Sequence, residues 1–370
     1  MKICVVGAGA IGGLVAAKLA AIGQEVSVVV RGPHLAAIRD KGLRLQESGT
    51  ERTFAVRATD RIAELGPQDL VIIGLKAHQV AGVAADIRGL CGPSTIVVTA
   101  QNGIPWWYFF KTGGAHEGTT LESVDAGGVI AKNIDVDRVL GSIIYPAADI
   151  VSPGVIRHIE GDRISLGEID GSDTERLRAT VKLLRDAGFK VRVSSDLRNE
   201  LWVKLWGNCT FNPISALTHA TLVDICQFPP TRALAERMMR EAQEIAEKLG
   251  VRFPVTLEKR IAGAEAVGKH KTSMLQDVEA GRPLELDALV GSVLELGRIT
   301  GVPTPNLTAV HACVALLAKT LAESKGRLRI EPGPDRSPFA GQDGPFAAGG
   351  RPASACVTTS GACARPHSSS

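Results

Sequence analysis

Two hydrophobic periods divide the chain. Short apolar runs bounded by turn residues, at 3–6, 25–30, 70–74, 95–99, 142–145, 163–166 and 190–193, read as buried strands. Between them, 11–22, 79–90 and 174–187 carry the 3.6-residue spacing of helices. Strands alternating with helices imply a mainly parallel sheet covered on its faces, an α/β arrangement. After Ser194-Ser195-Asp196 the strand signal stops, and only the helical period continues to about Lys325, broken by Pro213, Pro229-Pro230, Pro254, Pro283 and Pro303. The expected organisation is an α/β domain over residues 1–195, an all-helical domain over 196–328 and a tail over 329–370. From Glu331 the tail is rich in Gly, Pro, Ser and Ala and poor in large apolar residues, so disorder without function is expected there.

The first strand and first helix enclose Gly7-Ala8-Gly9-Ala10-Ile11-Gly12, a Gly-x-Gly-x-x-Gly turn. In that setting the first glycine makes the tight turn, the second admits a pyrophosphate to the backbone, and the third lets helix and strand touch. The helix N-terminus then presents its positive end to the phosphates. A dinucleotide with a free ribose 2′-OH is usually met at the end of the second strand by Asp or Glu. Arg31 stands there instead, and a guanidinium pairs with a phosphate rather than accepting from a hydroxyl. The expectation is a Rossmann domain that takes NADP rather than NAD.

Charge and composition narrow the partners. A net charge of +3 with both signs interspersed provides no field for nucleic acid or for an anionic membrane. No apolar run approaches the ~18 residues of a membrane span. The seven cysteines are scattered and form no C-x-x-C pair, so reduced thiols and a cytoplasmic setting are expected. No metal-ligand pattern is present.

Ligands of open α/β sheets sit beyond the carboxyl ends of the strands. Lys76 follows one strand and Asn102 another, so both would face that crevice, although either could serve an ordinary loop role. Further on, Lys204, Asn208 and Asn212 recur every four residues in a segment otherwise rich in Leu, Trp, Val and Phe. On a helix they make one polar stripe. The amides could fix hydroxyl and carboxylate groups, and the protonated lysine could donate to a developing alkoxide. Pro213 should disturb the helix at Asn212.

These motifs, with Leu75-Lys76-Ala77, Leu201-Trp202-Val203-Lys204-Leu205, Thr272-Ser273-Met274-Leu275-Gln276-Asp277 and Leu284-Glu285-Leu286-Asp287, occur in an order and spacing that resemble the ketopantoate reductases over residues 1 to about 325. The resemblance implies a C-terminal helical domain like that of 6-phosphogluconate dehydrogenase and NADPH in the cleft between the domains. It implies that Lys204 is the catalytic proton donor and that Asn208, Asn212 and Ser273, with Asn102, bind substrate. Asn102 and Glu285 would contact the cofactor near the nicotinamide, and Lys76, matching a cleft lysine, would be a further cofactor contact. The reaction implied is reduction of ketopantoate to pantoate on the way to pantothenate and coenzyme A. The partner is then a small 2-oxo acid, and a homodimer stays open.

Two departures bear on the substrate. Trp106 to Phe110 hold five of the fifteen aromatics and could be a packing cluster or a pocket wall for a bulkier acid. Leu222 stands where some members carry a further substrate asparagine. Two alternatives therefore stay beside the main reading. One is a paralogue acting on another branched or aromatic 2-oxo acid or D-2-hydroxy acid, and the other is a dinucleotide-binding sensor without turnover.

Overall fold

Ile3 to Val6 are completely buried, and the strand they belong to becomes an interior strand of the main sheet. A computed structural model describes residues 1–330, of which Met1–Arg329 form one compact unit. The tail expected beyond residue 329 lies, from 331 onward, outside the described residues.

The strands are β1 (Lys2–Val6), β2 (Glu25–Val29), β3 (Leu43–Glu47), β4 (Thr50–Phe54), β5 (Arg57–Thr59), β6 (Gln68–Ile73), β7 (Cys91–Thr99), β8 (Val139–Ile144), β9 (Ala147–Ser152), β10 (Val155–Glu160), β11 (Arg163–Glu168) and β12 (Lys190–Val193). Eight of them form one sheet in the order β12-β11-β8-β7-β6-β1-β2-β5. Every neighbouring pair is parallel except β8 with β11. The chain leaves β1 toward β2 on one side and returns to β6 on the other. That reversal opens a crevice at the carboxyl end of β1.

A second sheet, β4-β3-β10-β9, carries little apolar signal because β4 and β9 are largely solvent-facing. Its β3–β4 hairpin closes through Ser48 and Gly49, both at positive φ (51° and 77°), as a two-residue primed turn requires. This sheet braces the first helix: a Cβ on Gly13 would stand 2.7 Å from Cγ1 of Ile156 on β10.

The helices of the α/β part are α1 (Ala10–Ala21), α2 (Gly32–Lys41), α3 (Ala77–Val80), α4 (Ala84–Arg88), α5 (Val129–Asn133) and α6 (Glu175–Asp186). The single helix expected over 79–90 is instead α3, a 3₁₀ turn at Ala81–Val83, and α4. Gly82 and the β-branched Val83, whose backbone sits at φ −129° and ψ 6°, break the ladder there.

Strands end at Val193, and the rest is helical: α7 (Leu197–Thr218), α8 (Leu222–Gln227), α9 (Pro229–Lys248), α10 (Leu257–Ala266), α11 (Ser273–Ala280), a π turn at Asp287–Gly291, α12 (Ser292–Thr300) and α13 (Pro305–Ser324). Pro213 does not end the helix: α7 continues through it as one element. Phe211, Ile214 and Ala216 around the proline are all buried, and this packing holds the helix across the missing hydrogen bond. A second correction concerns α13, which by length and composition alone is apolar enough to cross a membrane. Its Leu307, Val310 and Val314 are turned into the core of the helical part.

The aromatic segment packs the joint between sheet and helices. Trp106, Trp107, Tyr108 and Phe109 are buried; Trp107 Nε1 donates to Thr99 Oγ1 (3.0 Å), and Trp202 Nε1 of α7 donates to Tyr108 Oη (2.7 Å). Arg198, in the first turn of α7, donates to the carbonyls of Tyr108 (2.9 Å), Phe110 (2.7 Å) and Ile169. Arg198→Ala leaves three carbonyls without their donor. The expected loss is on the order of 2–3 kcal/mol in urea unfolding, with dinucleotide affinity nearly unchanged.

Candidate active site

The glycine turn has the shape its sequence demands. Gly7 holds φ +93°, and the N–H groups of Gly7 (3.0 Å) and Ala8 (3.3 Å) both donate to the Val29 carbonyl at the end of β2. A Cβ on Gly12 would lie 2.1 Å from the Gly7 carbonyl oxygen, and one on Gly74 would lie 2.8 Å from the same atom. At Gly9, by contrast, a Cβ would meet nothing within 4 Å. The second glycine thus faces open space at the N-terminus of α1, where a phosphate can approach the backbone. Arg31 caps α2 from the neighbouring strand end; it is exposed, and its guanidinium has no partner among the described residues.

His34, invisible to the sequence argument, ties this turn to the second sheet. Its Nδ1 accepts from the Gly154 N–H (2.8 Å), so its Nε2 carries the proton and donates to the Ala8 carbonyl (3.0 Å). Burial lowers its pKa and keeps the ring neutral, despite the Ala8 hydrogen bond that acts the other way. A charged ring would set a donor against the Gly154 N–H. Dinucleotide affinity is therefore expected to weaken only on the acid side of the ordinary imidazole range in the wild type and to lose that component in His34→Gln, as read by titration across pH.

The lysine stripe lies where the ends of β7 and β8 meet α7. Lys204 Nζ donates to Asn102 Oδ1 (2.6 Å) and to the Ile144 carbonyl, and it stands 5.6 Å from the Tyr145 ring centroid. Loss of solvation in the cleft pulls its pKa down to about 8, opposed by the charge of Glu285. Asn208 lines the same cleft, beside Gln101, Asn102 and Ser142. The loop bearing Asn102 is fixed from both sides. Gln101 Nε2 donates to the Ile73 carbonyl (2.6 Å) on β6, and Gly103 (φ +88°) passes so close to Ala288 that a Cβ would lie 2.2 Å from its carbonyl oxygen. None of the buried aromatics of the 106–109 segment lines this cleft.

Further along α7, buried Asn212 makes a long 3.5 Å contact from Nδ2 to Ser273 Oγ. Thr272 caps α11 by accepting from Leu275 N–H, which leaves Ser273 exposed as the first helical residue. Lys76 is held by the protein itself. Its Nζ lies 2.5 Å from Asp277 Oδ2 and donates to the Pro283 carbonyl (3.1 Å), while Asp277 also accepts from Arg282 Nε (2.8 Å). Beside it, Glu285 Oε1 accepts from Ala77 N–H (3.3 Å), and burial raises its carboxyl pKa despite Lys76 nearby. Lys76 and Glu285 therefore cross-tie the start of α3 to the segment joining α11 and the π turn.

Of the residues singled out from the sequence, Asn102, Lys204 and Asn208 share one cleft, Asn212 and Ser273 touch two turns away, and Gly7 to Gly12 with Arg31 form the other end. His34, the Ile144 carbonyl and Asp277 were not anticipated as parts of it, whereas the segment from Tyr145 to Asp149 was expected near the nicotinamide without a single residue being named. Ile144 and Tyr145 both stand at the end of a predicted strand, where ligands of such sheets gather.

Comparison with known proteins identifies the family. Residues 3–171 match the family described as Ketopantoate reductase PanE/ApbA, and residues 196–318 match its C-terminal counterpart. A 2-dehydropantoate 2-reductase of Mesorhizobium japonicum is 54% identical over 319 residues, covering 86% of this chain and 98% of its own length. Its counterpart in Halobacterium salinarum is 26% identical over 85% of this chain and 98% of its own. Among solved structures, a Ralstonia solanacearum protein assigned to the ketopantoate reductases superposes with a TM-score of 0.83 at 43% identity, covering 87% of this chain and 98% of that one. A D-mandelate dehydrogenase bound to NADH and anilino(oxo)acetate shares the fold, with a TM-score of 0.74 at 21% identity over 87% of this chain and all (100%) of its own. From the glycine turn to the Ser273 helix, this chain belongs to the ketopantoate reductase family of oxidoreductases.

Proposed function

We propose that this chain reduces 2-dehydropantoate to pantoate using NADPH, and that Lys204 is the proton donor. The observation that carries the reading is the ammonium of Lys204, sunk in the cleft at the strand ends and aimed by Asn102 and the Ile144 carbonyl. The chain's residues fit the cofactor. Gly9 leaves the space a pyrophosphate needs, and Arg31 offers an unpartnered guanidinium to a 2′-phosphate. When bound, NADPH supplies a hydride to the carbonyl carbon of the 2-oxo acid.

The remaining chemistry belongs to side chains. As the ketone oxygen gains charge, the Lys204 ammonium stabilises it and releases its proton from Nζ. Desolvation aids this step, because a lysine brought to about 8 gives up its proton more readily than one near its ordinary value. Asn102 fixes the ammonium and borders the cofactor side. Asn208, Asn212 and Ser273 orient the hydroxyl and carboxylate groups of the substrate, and the product would feed pantothenate and coenzyme A synthesis.

With 2-dehydropantoate, phenylpyruvate and related 2-oxo acids offered in turn, dihydronicotinamide absorbance should fall fastest with 2-dehydropantoate. Faster loss with phenylpyruvate would overturn the substrate, and tight NADPH binding without turnover of any acid would overturn the enzyme reading. The aromatic cluster no longer supports a bulky-substrate alternative, because its side chains are spent on packing. Arg31→Ala should raise KM for NADPH by about tenfold to a hundredfold and leave KM for NADH nearly unchanged. Equal effects on both cofactors would remove Arg31 from the 2′-phosphate site.

A further inference from the structure

The cleft helix α7 contains a glycine, Gly207, in the turn between Lys204 and Asn208, at a position where glycine costs about 1 kcal/mol relative to alanine. The space it vacates is filled from α10. A Cβ on Gly207 would lie 2.0 Å from Nη2 and 2.9 Å from Cζ of Arg260, so the guanidinium lies directly on the helix backbone. Other sheltered arginines of this protein have acceptors: Arg198 has three carbonyls and Arg176 has Glu168. Arg260 has neither a carboxylate nor a hydrogen-bond acceptor for its side chain among the described residues.

Burial nevertheless pulls the Arg260 pKa below that of an ordinary arginine. The groups that act on its charge are the thiols of Cys209 and Cys226 and, least of the three, Tyr145, the residue whose ring flanks Lys204. A desolvated cation without a counter-ion is unfavourable until an anion joins it. A 2-oxo acid brings a carboxylate, and Asn208, Asn212 and Ser273 carry no charge with which to meet it. Lys204 is committed to the ketone oxygen.

We propose that Arg260 is a specificity-determining residue that binds the carboxylate of the 2-oxo acid, with Gly207 providing the groove that holds its guanidinium against the turn of α7 between Lys204 and Asn208. The assignment rests on the 2-oxo acid reading of the site. It adds the feature that separates an acid from an uncharged ketone of the same shape.

The test compares a 2-oxo acid with its primary amide as substrates of the wild type, Arg260→Gln, Arg260→Lys and Gly207→Ala. For Arg260→Gln, KM for the acid should rise by about tenfold to a hundredfold, with kcat within a few fold and NADPH affinity unchanged. The acid-over-amide preference in kcat/KM should collapse by a similar factor, and Arg260→Lys should restore part of it. Gly207→Ala favours the helix but displaces the guanidinium, so it should raise KM for the acid even if Arg260→Gln fails to fold. An unchanged acid-over-amide preference in the folded Gln variant, or in Gly207→Ala, overturns the assignment while leaving the reductase reading intact. A wild type that reduces no 2-oxo acid overturns the function reading instead.

Discussion

Lys204→Ala is expected to lower kcat for ketone reduction by about 10²–10⁴ while leaving NADPH affinity within a few fold of wild type. The magnitude is that of a lost general acid. The selectivity follows from location, because the ammonium bonds to Asn102 and the Ile144 carbonyl rather than to any group of the glycine turn. Arginine is a poor substitute, since its fork cannot take the place of a compact ammonium between those two oxygens and it does not release a proton near neutral pH. Stopped-flow turnover and fluorescence titration of bound NADPH separate the two effects. A folded alanine variant retaining near-normal kcat would move the proton source elsewhere.

Gly12→Ala should be as damaging to binding as Lys204→Ala is to turnover. The added methyl would sit 2.1 Å from the Gly7 carbonyl oxygen, far inside contact distance. Gly7 cannot yield, because its N–H is bonded to Val29, its φ is +93°, and its own side is closed by Leu75. The helix must therefore move away from the strand, carrying its N-terminal N–H groups out of register with the phosphates. NADPH affinity is expected to fall by about 100-fold or more, with about 1–3 kcal/mol lost from global stability as for other overpacked sites. Gly9→Ala supplies the contrast. Its methyl enters open space in the free protein, so stability should hold while affinity falls. Wild-type affinity in Gly12→Ala would show that the turn is not the phosphate site.

The sequence disclosed what repeats locally. β1, β2, β6, β7, β11 and β12 announce themselves as apolar runs, and the Lys204, Asn208, Asn212 stripe is a period-of-four pattern on one helix. It hid what depends on distant pairing. The β3–β4 hairpin has too few apolar residues to read as strand, although Ser48-Gly49 marks its turn; β9 and β10 gain their order by pairing with each other and with β3. The helix over 79–90 failed at Gly82-Val83, where local propensity overrode the apolar spacing. Within the site, His34 acquires its role only through Gly154, 120 residues away in sequence, and Lys76 through Asp277, 201 residues away. Ser273 and Glu285 have no local signature that would distinguish them from an ordinary helix residue and a surface carboxylate; the resemblance carried both.

In the proposed reaction a protonated Lys204, brought to about 8 by the cleft, delivers the proton during reduction. Its protonated form is lost as pH rises through that value, so the sign is fixed: reduction must slow on the alkaline side. The direct measurement is the pH dependence of kcat/KM for 2-dehydropantoate reduction by the wild type between pH 6 and 10, at saturating NADPH. A plateau is expected that breaks near pH 8 and then falls about tenfold per pH unit. A profile that stays level or climbs through pH 10 would contradict it.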